Sequence, residues 1–149
     1  MILTEQRVNY ENIFICELLF KIDSPFSEII KSARLLCQID LPEEKVQNIV
    51  KIIQNNSYEL LQIAETALFN HKANSILFNE EQELIDSIHH EIRNPMNGII
   101  GFAEILNHKK LQFKDRVSHI FILVNCINQL ETIINSMWNY SMLLESQTK

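Results

Sequence analysis

Nucleophilic chemistry in this chain falls to one stretch of residues. His90 is followed by Glu91, Arg93, Asn94 and Pro95. A neutral imidazole keeps a lone pair near physiological pH and can act as a nucleophile. At 100° per residue, His90 lies about 140–160° from the apolar stripe through Ile85 and Ile92, so its ring is expected to point to water. His89 lies within about 60° of that stripe and should flank the core. Arg93 at i+3 and Asn94 at i+4 share the side of His90. Pro95 has no amide donor and clashes one turn back, so it is expected to bend or loosen the helix beside the histidine.

Other polar groups offer less. His71, His89, His90, His108 and His119 contain no i,i+4 pair, and no metal is expected. Ser57 and the remaining polar residues form no recognisable triad or phosphate loop. Trp138 and Tyr140 are read as core and rim. Glu43, Glu44, Glu80 and Glu81 sit in first helical turns, where they suit the helix dipole.

Four segments with helical spacing must position these groups. The first runs about Asn12 to Leu36, striped by Ile15, Leu18, Ile22, Phe26, Ile29, Ala33 and Leu36. The second covers about Glu43 to Phe69, with Val46, Ile49, Val50, Ile53, Leu60, Ile63, Ala64 and Ala67. The third spans about Glu80 to Leu106, with Ile85, Ile88, Ile92, Ile99, Ala103 and Leu106. The fourth runs about Phe113 to Leu144, with Val117, Ile120, Val124, Ile127, Ile134, Met137 and Leu144. Alternating steps of three and four suit helices packed along a common axis.

Asp40, Pro42 and Glu43 resemble a capping box for the second helix, and Asn79 with Gln82 one for the third. Loops near 37–42 and 107–112 are short, so each flanking pair is expected to be an antiparallel hairpin. The polar run from Asn70 to Ser75 is the expected linker between hairpins.

Sliding the chain against itself by 70 residues without a gap superposes Ile15/Ile85, Ile22/Ile92, Pro25/Pro95, Ile29/Ile99, Ile30/Ile100, Ala33/Ala103 and Leu36/Leu106. It continues through Leu41/Leu111, Ile52/Ile122, Asn55/Asn125, Leu60/Leu130 and Ile63/Ile133. A lone hairpin cannot bury its apolar stripe, whereas two together can. The expectation is an all-α antiparallel four-helix bundle, made from two repeated helical hairpins in one chain with pseudo-two-fold symmetry. Residues 10–70 would be one hairpin and 80–147 the other.

The run His90-Glu-Ile-Arg-Asn-Pro-Met-Asn-Gly-Ile-Ile-Gly101 closely resembles the H-box of sensor histidine kinases, in their dimerization-and-phosphoacceptor domain. The resemblance continues through Phe102-Ala-Glu-Ile-Leu106 and resumes in Leu130-Glu-Thr-Ile-Ile-Asn-Ser-Met-Trp-Asn-Tyr-Ser141. It implies that His90 is the phosphoacceptor and that Glu91 is the general base taking the ring proton. Asn94 would orient water when a response regulator is dephosphorylated, with Arg93 beside it. Asn97, Gly98 and Gly101 would face the partner. His89 stands where many relatives have Ser. At the offset of 70, Phe20 replaces His90, Lys21 replaces Glu91, Asp23 replaces Arg93 and Ser24 replaces Asn94, so the first hairpin reads as a degenerate copy. Phe20 itself is read as a surface aromatic tucked between neighbours. Relatives obtain two hairpins by homodimerization, so this chain is expected to be a monomer.

The resemblance also implies a separate ATP-binding domain with glycine-rich boxes. The chain has two glycines, both inside the H-box, so it is not expected to phosphorylate itself from ATP alone. Three functions follow as expectations. The first is a histidine-containing phosphotransfer module exchanging phosphate with a receiver aspartate. The second is a fragment of a larger sensor or hybrid kinase. The third is a non-enzymatic bundle that regulates a receiver or kinase. Intact Glu91 favours the first two; the starting methionine and the completed pair of hairpins favour the first. The partners implied are a response-regulator receiver and a kinase ATP-binding domain acting in trans. No cofactor is expected on this chain, with Mg2+ belonging to the receiver.

Composition narrows the field. Apolar residues make up 46%, too many for a disordered chain. The net charge of −6 gives no footprint for nucleic acid. Cys16, Cys37 and Cys126 are odd in number and read as reduced, buried thiols. No uninterrupted apolar run approaches the roughly 18–20 residues of a membrane span, and the first residues lack the pattern of a secretory signal. The expectation is a soluble cytoplasmic protein.

Overall fold

Glycine is absent before position 98 and proline occurs only at 25, 42 and 95, so little in the chain interrupts a helix. The structure is a computed structural model that describes residues 2–38, 40–74, 79–108 and 110–148, with side chains at 12–38, 40–70, 83–108 and 110–146. Four α-helices fill it: α1 (Ile2–Leu36), α2 (Glu43–Asn74), α3 (Asn79–His108) and α4 (Phe113–Thr148). Each packs on two others, in the cycle α1–α2–α3–α4 and back to α1. Neighbours are antiparallel. Arg93 of α3 meets Glu65 of α2, while Asn107, further along α3, meets Gln54, earlier in α2. Early α1 meets late α4 through Cys16 and Ser141. The fold is the expected all-α four-helix bundle.

Its core takes Ile15, Leu19, Ile22 and Ile29 from α1, Ile53 and Leu60 from α2, Ile92, Met96 and Ile99 from α3, and Leu123, Ile127 and Leu130 from α4. Each such side chain contributes roughly 1.5–3 kcal/mol relative to exposure. Val117 departs from its expected stripe and is 49% exposed. Ten residues separate it from Ile127, a rotation of about 80° off the core line, and Leu123 fills that line instead.

Several boundaries differ from expectation. The linker predicted from Asn70 is helical through Asn74, because nothing in Asn70-His-Lys-Ala-Asn74 breaks a helix. Residues 75–78, including Ser75, lie outside the described residues, as do the side chains of the capping box at Asn79 and Gln82. Asp40 does not cap α2. It turns the chain with φ at 65°, a left-handed conformation that Asp tolerates, and the Pro42 carbonyl accepts the first bond of the helix from the Val46 amide. Gln112 does the same for Arg116 at the start of α4.

The cysteines are free, but only half-buried at Cys16 and Cys126 and exposed at Cys37, which follows the last core residue of α1. Cys16 and Ser141 join Asn12 in a hydrogen-bonded cluster linking α1 to α4. Among the described residues, α4 is long and apolar enough by length and composition to cross a membrane. Charged and amide residues interrupt its apolar runs, so reading uninterrupted runs alone missed this. In the bundle, its core stripe packs against α1 and α3.

Candidate functional site

α3 presents its two adjacent histidines differently because one helical step rotates them apart by about 100°. His90 is exposed, whereas His89 is half-buried. Their rings stand 6.1 Å apart at 62°. On one flank of His90, Glu91 is exposed and borders two cavities between α3 and α4. The larger, about 570 Å³, is lined by Glu91, Asn94 and Pro95 from α3 and by Gln129, Thr132, Ile133 and Ser136 from α4. The Thr132 hydroxyl donates to the Asn128 carbonyl and Ser136 to the Thr132 carbonyl, so both are held along α4.

On the other flank, exposed Arg93 points to α2, where its Nη1 lies 3.9 Å from Oε1 of Glu65. Asn94, which lines the larger cavity, and Asn97 are both exposed. The site therefore gathers an accessible imidazole, a carboxylate, a guanidinium and amides beside a groove.

Pro95 is buried within α3, and the helix continues through it. Its missing N–H leaves the carbonyl of Glu91 without the usual partner one turn on. The two glycines differ. A Cβ on Gly98 would lie 2.7 Å from Sγ of Cys126, so this glycine permits close packing of α3 on α4. A Cβ on Gly101 would meet nothing within 4 Å. The residues proposed to face a partner thus divide: Asn97 and Gly101 border open space, whereas Gly98 serves the interior. Burial raises the pKa of the Cys126 thiol at this contact.

Seventy residues earlier, α1 shows the same order of exposed and buried positions. Lys21, Asp23 and Ser24 are exposed, and Pro25 is buried. Phe20 is 83% exposed rather than tucked between neighbours, because it takes the outward helical phase that His90 takes in α3. Burial classes along residues 15–25 match those along 85–95 except at Leu19 against His89, and 53–66 match 123–136 throughout. Trp138 and Tyr140 are both at the rim, 40% and 36% exposed.

Glu65 was not singled out from the sequence. It is one of four carboxylates on α2, and only the packing of α2 on α3 brings it to Arg93. Residues 80–145 match the His Kinase A (phospho-acceptor) domain. No curated protein and no solved structure matches the chain.

Proposed function

Since residues 80–145 belong to the His Kinase A (phospho-acceptor) domain family, whose role is that of a histidine phosphoacceptor and dimerization unit in two-component signalling, we propose that this chain is a phosphotransfer module working through His90. In the forward step, an imidazole nitrogen of His90 attacks a phosphoryl group on the donor. The donor's bond to phosphorus breaks, an N–P bond forms, and Glu91 takes the ring proton. In the second step, a receiver's aspartate carboxylate attacks the same phosphorus, the N–P bond breaks, and the ring takes back its proton from Glu91 to leave as neutral imidazole. Such transfer depends on positioning and charge neutralisation more than on covalent machinery. The receiver brings the Mg2+.

The observation that carries this reading is the exposed imidazole of His90 inside the matched segment, next to Glu91 and Asn94, which line the groove between α3 and α4. Glu91, bordering both cavities, also suits a second reading, in which the bundle is part of a larger sensor kinase whose ATP-binding domain reaches His90. We further propose that α1 and α2 are a degenerate copy of α3 and α4, standing where relatives place a second subunit. The 70-residue register, with α2 and α4 starting at Glu43 and Phe113, and the matching order of buried positions support this.

Incubation with phosphorylated receivers, and with histidine kinase ATP-binding domains plus ATP, tests the function. An acid-labile, base-stable label that vanishes in His90→Gln is expected. The absence of label from every donor overturns it.

A further inference from the structure

A charged contact crosses between the hairpins beside His90. Arg93 of α3 and Glu65 of α2 approach to 3.9 Å, with side chains 50% and 45% exposed. Arg93 follows His90 by three residues, which sets their Cβ atoms about 5–6 Å apart on one helix face. Seventy residues away in each case stand Asp23 and Asn135, which cannot form such an ion pair. The crossing contact belongs to the side that carries the histidine.

We infer that Arg93 is shared, with Glu65 holding it beside the bare imidazole and a phosphoryl group on His90 drawing it away. This rests on the phosphorylation of His90 proposed above. A phosphoryl group brings about −1.5 to −2 charges and three acceptor oxygens. The planar guanidinium fork suits those oxygens better than a single distant carboxylate. The Glu65 contact is long and half-exposed, the weakest kind of ion pair, so little opposes the exchange. Glu65 is a positioning residue: it acts on the phosphoryl group through Arg93. The hairpin that lost its own histidine thus contributes a residue to the site of the other.

The sign of each substitution follows. Removing the charge of Glu65 releases Arg93 and also removes a negative group from the neighbourhood of the phosphoryl oxygens. Both effects favour the phosphorylated form. Removing Arg93 disfavours it.

The test uses the full chain with phosphoramidate and excess ammonium. The reagent's P–N bond breaks, ammonia leaves, and a new P–N bond forms to the imidazole; ammonium makes the exchange reversible. Phosphorus NMR, assigned with His90→Gln, reads the plateau ratio of phosphorylated to free His90. Glu65→Gln is expected to raise that ratio by about two- to five-fold, and Arg93→Gln to lower it similarly. In the Arg93→Gln background, Glu65→Gln should lose most of its effect, and Glu65→Asp should stay near the parent. Roughly 0.5 M salt should shrink all differences.

A merely structural contact would alter thermal stability in both variants and leave the ratio unchanged. Glu65→Gln at or below the parent ratio overturns the inference, as does Arg93→Gln equal to the parent. A parent that reaches its plateau but exchanges phosphate with no receiver or kinase domain overturns the proposed function and leaves the sharing of Arg93 standing. A His90 that takes no phosphoryl group from the reagent ends both.

Discussion

Helix phase decides which of two identical side chains faces solvent. His90 and His89 differ by one residue and by the face they occupy, and that difference follows from the core stripe alone. Asn94, exposed one turn beyond His90, carries the expectation of water orientation. Asn94→Ala should keep normal labelling of His90 but slow receiver dephosphorylation, read as loss of label from a phosphorylated receiver over time; equal rates would refute the assignment. The glycines give an opposed pair of stability predictions. Gly101→Ala gains helix propensity and meets nothing, so its Tm should rise by about 2–4 °C. Gly98→Ala drives a methyl into Sγ of Cys126 and should lose that gain or fall below the parent, with Cys126→Ala restoring it. Thermal melts of the three variants check this. Burial raises the pKa of Cys126, so its thiolate appears only at higher pH, and ionising it there opposes folding. Alkylation followed by mass spectrometry should find exposed Cys37 modified first and Cys126 requiring more alkaline solution.

At the scale of elements, each helix owes its place to one apolar line, and most of that line was legible. Leu18, Ile22 and Ile29 in α1 and Ile127, Ile134 and Met137 in α4 are buried as their spacing demands. The errors have local causes. Val117 shares an apolar type with the core line but not its phase. Asp40 looked like a cap because its type suits one, yet the backbone turned at Asp40 and left the Pro42 carbonyl to open the helix. Residues 70–74 looked like a linker because they are polar, but polar residues without glycine or proline extend a helix readily. Leu130 is fully buried on α4, level with the groove beside His90. Leu130→Ala should destabilise by about 2–5 kcal/mol in chemical denaturation, in keeping with a buried leucine whose space cannot fully collapse.

At the scale of the molecule, four apolar lines close on one another in a ring, which removes the physical reason for a second copy to complete the core. Light scattering on a dilute sample is expected to give a mass near 17.5 kDa; an obligate dimer would show that the exposed apolar residues of α4, among them Phe121, Met142 and Leu143, are covered by another chain. The sequence alone determined the helical class, the hairpin pairing and the histidine that faces outward, because all three depend on periodicity along a single helix or on short loops. Tertiary structure decided what periodicity cannot encode. It selected Glu65 from among the four carboxylates of α2 as the partner of Arg93, set Gly98 against Cys126, and opened the groove between Glu91 and Gln129. Those contacts join residues far apart in the chain, and only the packing of one helix on another brings them within range.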